Sequence, residues 1–148
     1  MQTQLKIQMD VAALVDMKEV NIYINDFRLD DDGIKHEQFL IARSNNNIVG
    51  FGRIREYPNC SELCTLGVIF PERLKTIGSQ LVLELIKKAE KKVYLVCTIP
   101  DFFAPFGFKI TDNYPQVIAK KLFRCETILT VPEKYVVMEL NKAIVLPY

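Results

Sequence analysis

Residues Glu62 to Ser79 read ELCTLGVIFPERLKTIGS, and the order of their chemistry decides the architecture. Leu63 to Phe70 is an almost continuous apolar run, the pattern of a central strand covered on both faces. Pro71 marks a turn, and beyond Ser79 the residues Leu81, Leu85, Ile86 and Ala89 recur at helical spacing. Strand, turn and helix start in that order build an anion site. The first helical turn carries unpaired N–H groups at the positive end of the macrodipole, where phosphate settles. A phosphorylated cofactor is the ligand expected there.

Working outward, Lys87, Lys88, Lys91 and Lys92 crowd the end of this helix, where cations favour the dipole. Val93 to Cys97 is a second short buried strand, and strand-helix-strand at this length predicts a right-handed parallel crossover. On the N-terminal side, Phe39 to Arg43 and Ile48 to Arg55 flank Asn45-Asn46-Asn47. Asparagine tolerates left-handed turn conformations, so this predicts a β-hairpin. Leu5, Ile7 and Met9 alternate with polar residues as in a half-buried strand, and Asp10 is placed to cap a helix through Val11, Ala12, Leu14, Val15 and Met17. Val20 to Phe27 fits either a helix or extended chain, and Asp30 to Gly33 reads as a loop. Pro115 opens a helix carrying Val117, Ile118, Lys121, Leu122 and Cys125, and Tyr135 to Leu140 is a last strand. These elements predict one mixed α/β domain over residues 1–148.

Composition narrows the function classes. A chain of 148 residues, 49% hydrophobic and 25% charged, buries a core without disulfides or metal. A net charge of +1 gives no field that would draw nucleic acid or a membrane surface. Cys60 and Cys64 are four apart, but no second Cys or His pair completes a zinc site and His36 is the only histidine. With Cys97 and Cys125 they are expected to be reduced thiols in a cytoplasmic protein. The start MQTQLKIQMD lacks a basic region followed by an apolar run, so no signal peptide is expected, and no apolar run is long enough to span a membrane.

Four stretches together resemble the GCN5-related N-acetyltransferase (GNAT) superfamily. Its cofactor signature, V-x-x-P followed by R/Q-x-x-G-x-G/A at a helix start, is similar to Val68-Ile69-Phe70-Pro71-Glu72-Arg73-Leu74-Lys75-Thr76-Ile77-Gly78-Ser79. FFAPFGF (Phe102 to Phe108) resembles the second motif, YVVMEL the last strand, and IVGFGRI the hairpin. The resemblance implies the GNAT fold, a central mixed sheet of about six or seven strands flanked by helices, with splayed central parallel strands. It also implies acetyl-coenzyme A as co-substrate, no metal, transfer to the primary amine of a small molecule, and the homodimers common in the family.

The same resemblance assigns residue roles. Arg73, Leu74, Lys75, Thr76, Ile77, Gly78 and Ser79 would cradle the pyrophosphate, mostly by backbone amides. Leu66, Gly67 and Val68 would pair their backbone with the pantetheine arm, and Phe103 would pack against it. Thr76 stands where the family's middle glycine is usual, and Leu74 where another follows the arginine. Glu62, eleven residues before Arg73, matches the glutamate used as general base in the histone acetyltransferase branch. Phe103 replaces the tyrosine that protonates the leaving thiolate in many members. FF-x-x-FGF with a following basic helix is similar to the N-acetylglutamate synthase branch, where a phenylalanine at this place is normal. The carboxylate of an amino-acid acceptor would need a cation or backbone amides, and Arg43, Arg53, Arg55, Lys120 and Arg124 are the candidate cations; Asp26 and the run Asp30-Asp31-Asp32 invite a cationic acceptor instead. The alternative is a catalytically weak acyl-coenzyme A-binding or regulatory protein.

Overall fold

The computed structural model describes residues 6–69, 74–129 and 131–141. Among the described residues seven strands form a mixed sheet in the order β1-β2-β3-β4-β5-β7-β6. They are β1 (Gln8–Val11), β2 (Phe39–Ser44), β3 (Asn47–Glu56), β4 (Ser61–Val68), β5 (Val93–Cys97), β6 (Lys109–Ile110) and β7 (Val136–Leu140). The helices are α1 (Met17–Asp26), α2 (Ser79–Lys88), α3 (Pro100–Phe103) and α4 (Gln116–Thr127). β4 and β5 pair in parallel, while β1–β2, β2–β3, β5–β7 and β6–β7 are antiparallel. This is the mixed α/β architecture the sequence implies. The described residues gather into two compact units, one drawn from Met1–Arg53 and Thr65–Leu85, the other from Ile54–Cys64 and Ile86–Tyr148.

In the first unit the hairpin forms as expected. Ser44 pairs with Asn47, and the two loop residues Asn45 (φ 52) and Asn46 (φ 68) are both left-handed, the turn whose twist matches the strands it joins. Residues of β2 and β3 alternate between two apolar clusters. Phe39, Ile41, Ile48 and Phe51 meet Met17, Val20 and Ile24 of α1, whereas Ala42 and Val49 meet Ile77 and Leu81. Period-two alternation separates Phe39 and Ile41 from Ala42 in β2. In β3 the register shift at Ala42/Arg43, which pairs Gly50 and Ile48 but skips Val49, puts Ile48 and Phe51 in one cluster and Val49 in the other. Gly50 lets α2 seat close to the sheet, because a Cβ there would lie 2.9 Å from Ile77 and 3.0 Å from Leu81.

The N-terminal helix differs from the sequence expectation. Asp10 lies in β1, opposite Ile41, and caps nothing; the helix begins at Met17 after a short 3-10 turn over Leu14–Asp16. Val11, Leu14 and Val15 are exposed, so a helix through them would have had no apolar face to bury, and strand pairing takes Gln8–Val11 instead. Val20 to Phe27 resolves as helix up to Asp26, with Met17, Val20 and Ile24 inward. Leu5 lies outside the described residues.

In the second unit, β5 and β7 register from Val93↔Leu140 to Cys97↔Val136. Cys60, Tyr94, Ile118 and Val137 form the core, with Tyr57, Tyr114 and Leu122 packed on it. Pro115 precedes α4 as its N-cap residue, in the extended conformation expected just before a helix. Among the described residues no helix is long and apolar enough to cross a membrane.

Candidate active site

β4 carries the candidate chemistry, and its two halves fall in different units. In the second unit, Glu62 is the second residue of the strand, is fully buried, and stands in register with Tyr94. The Tyr57 hydroxyl donates to Glu62 Oε1 at 3.0 Å and the Lys121 ammonium donates to Oε2 at 2.5 Å. Lys121 belongs to the inward face of α4, with Ile118 and Cys125, and is 8% exposed. A carboxylate taken out of water needs such a partner, since a lone buried charge costs several kcal/mol (order of magnitude). Burial, and next the charge of Glu62, push the Tyr57 phenol well above its ordinary range. Tyr57 therefore stays protonated and donates.

Phe103 is buried and packs edge-to-face on Phe102 and Phe108, with centroids 5.0 and 6.0 Å away. It offers an apolar ring and no proton. Cys97 is buried beside Met138, and burial pushes its thiol up to about 11. At neutral pH it is a thiol, a poor nucleophile.

The first unit holds the second half of β4 and the helix start. Leu66 and Val68 are half-buried against Ala42, Val49, Ile77 and Leu81. Gly67 is buried, and a Cβ on it would lie 2.6 Å from Phe51 and 3.2 Å from Phe27. In the second unit the parallel ladder with β5 registers Ser61↔Val93 and Glu62↔Tyr94. Leu74–Gly78 form a five-residue π-helical turn running straight into α2; such turns are rare and concentrate at functional sites. Thr76 is exposed, Ser79 half-buried and Gly78 buried, while the Ile77 side chain is fully buried in the core, leaving its backbone for any ligand role. Arg73 and the Pro71 turn lie outside the described residues.

The structure overturns the placement of Arg53 as a cation open to an acceptor carboxylate. Its side chain is fully buried. Nε donates to Thr65 Oγ1 at 2.8 Å, Nη1 to Gln38 Oε1 at 3.0 Å, and Nη2 to the Asp32 carbonyl at 2.9 Å. Asp30 Oδ2 stands 3.6 Å from Nη2, and the guanidinium lies 5.6 Å over the Phe39 ring. The acidic loop is thus partly spent on an internal arginine, and Asp30 itself is buried. Arg43 likewise pairs with Asp16 at 2.8 Å. Arg55 lies over the Tyr57 ring at 5.4 Å, Lys120 is exposed and Arg124 half-buried.

Sequence reasoning did not select Tyr57 or Lys121 as site residues. Lys121 carried a signal, a lysine inside the apolar stripe of a helix. Tyr57 had none, because nothing local distinguishes it from a turn tyrosine.

The model of the acetyltransferase (GNAT) family matches residues 10–108, about two thirds of the chain. The chain belongs to that family. No curated protein matches the sequence significantly. Among solved structures, N-acetylglutamate synthase from Neisseria gonorrhoeae, complexed with coenzyme A and N-acetyl-glutamate, is similar at TM-score 0.73 and 16% identity, covering 94% of this chain. The chain spans only 36% of that synthase. Rv2747 from Mycobacterium tuberculosis, in complex with coenzyme A and NLQ, is similar at TM-score 0.72 and 17% identity, covering 90% of this chain and 98% of that one. Arabidopsis thaliana Naa50, in complex with the bisubstrate analogue CoA-Ac-MVNAL, is similar at TM-score 0.64 and 22% identity, covering 91% and 98%. At such identities the likeness is one of fold.

Proposed function

We infer that this GNAT-family protein transfers an acetyl group from acetyl-coenzyme A to the primary amine of a small molecule, with amino acids among the acceptors, in a ternary complex. The observation that carries the reading lies in the first unit, where the Leu74–Gly78 turn runs into α2 and Ile77 and Leu81 pack with Leu66 and Val68 of β4. The backbone groups of Leu66, Gly67 and Val68 can there hold an extended pantetheine arm as an added strand. The π turn into α2 supplies backbone amides from Thr76 to Ser79 for the pyrophosphate.

Acetyl-coenzyme A, when bound, supplies the activated acyl carbon. The acceptor nitrogen bonds to that carbon, the carbon–sulfur bond breaks, the amine loses a proton and the thiolate gains one. Glu62 is the proposed base. Lys121 holds Oε2, so the proton reaches Oε1, through the Tyr57 hydroxyl or a water beside it. Phe103 confines the acetyl end without donating a proton.

A second reading, a weakly catalytic acyl-coenzyme A-binding protein, is favoured by the engagement of both Glu62 oxygens and by the apolar packing of Phe103. Thiol release measured with acetyl-coenzyme A across a panel of amines separates the two. The enzyme reading expects turnover with at least one acceptor and a loss of about a hundredfold or more in Glu62→Gln. Full activity in that variant removes Glu62 as base; coenzyme A binding without any turnover supports the second reading.

A further inference from the structure

Thr65 is the only β-branched residue with positive φ among the described residues, and it sits inside β4 at φ 55. Asn45 and Asn46 reach this region in a turn that suits them, and Arg28 does so just past the end of α1. A threonine in the middle of a strand has no such excuse, because its branched Cβ crowds the backbone there. Strain of this kind persists only where the surroundings over-determine it.

The surroundings do so. Thr65 Oγ1 accepts from Arg53 Nε at 2.8 Å and donates to the Asp30 carbonyl at 3.0 Å. Arg53 reaches in turn to the carbonyls of Asp30, Asp32 and Gly33 and to Gln38. Guanidinium and hydroxyl are both buried, so these bonds act without competition from water. A left-handed residue in a strand rotates the following peptide planes, as a bulge does. The next three residues are Leu66, Gly67 and Val68.

We propose that Thr65, clamped by the buried Arg53, is a positioning residue that aims the β4 backbone at Leu66–Val68 toward the pantetheine arm. This rests on the acetyl-coenzyme A reading above. It makes the internal arginine and the acidic loop supports of the cofactor site, acting through Thr65.

The test is calorimetric titration of wild type, Thr65→Val and Thr65→Ser, well below each unfolding temperature. The ligands are coenzyme A and adenosine 3′,5′-bisphosphate, which lacks pantetheine. Thr65→Val keeps the shape and loses the hydroxyl; its affinity for coenzyme A is expected to fall about tenfold, with the bisphosphate unchanged. Thr65→Ser retains the hydroxyl and is expected to bind both as wild type does. Should Thr65→Val fail to fold, Thr65→Gly takes its place, since glycine accepts this φ freely and carries the same expectation. Equal affinity of wild type and variant for coenzyme A overturns the proposal while leaving the cofactor reading intact, and so does an equal loss for both ligands. Wild type that binds neither ligand overturns the cofactor reading and the proposal with it.

Discussion

Glu62 and Lys121 bury one negative and one positive charge side by side, and each offsets much of the cost of burying the other. Replacing Lys121 with methionine keeps the volume and strands the carboxylate. The expected cost is about 3–5 kcal/mol, read as a lower urea midpoint, and adding Glu62→Gln should recover most of it, because no charge is then left unpaired. Asp16 gives a pH-dependent case. Its hydrogen bond from Arg43 holds the carboxyl below the ordinary carboxylate range, with the Ala13 N–H assisting against burial. A folded-state pKa below the unfolded one stabilises the fold above the unfolded pKa, and the gain disappears as pH falls through the folded value. Asp16→Asn should therefore be less stable than wild type at neutral pH, and the two denaturation midpoints should converge as acidification protonates the folded-state carboxyl.

At the scale of elements, the hairpin and β4 respond to glycine in opposite ways. Asn46 already adopts φ 68, so Asn46→Gly relieves a mild penalty and is expected to change the unfolding free energy by no more than about 0.5–1 kcal/mol in the stabilising direction. Asn46→Val puts a β-branched residue in that region and is expected to lower stability in the same assay. Gly67→Ala has no such room. The new methyl would meet the Phe51 ring at 2.6 Å, and that ring is itself fully buried. Overpacking of this kind costs about 1–3 kcal/mol, and thermal unfolding of the variant measures it.

For the molecule as a whole, the cofactor reading makes a linkage prediction. A ligand that binds only the folded chain stabilises it by about 2.7 kcal/mol at a hundred times its Kd, so acetyl-coenzyme A should raise the Tm progressively with concentration; a flat titration contradicts the reading. Much of the fold was legible in the sequence, because periodicity is local. The apolar run of β4, the 3.6-residue stripe of α2, the short β5 and the asparagine turn each announce an element without reference to any other. The two-residue β6 is too short to carry a period, and the stretch from Asp10, which reads as a capped helix, is shown to begin in a strand only by its pairing with β2. Glu62 was singled out by the family resemblance at a strand start, and the structure buries it there. Its partner Lys121, 59 residues away, and the closure of Arg53 around Thr65 and the acidic loop were not. The sequence by itself determined the order and type of most elements, from β2 to α2 and β5, and the family they make, since these follow from which residues can be buried on which face. Only the tertiary structure decided which charges are open to a ligand and which are consumed inside, because a buried charge finds its partner through packing and not through proximity in the chain.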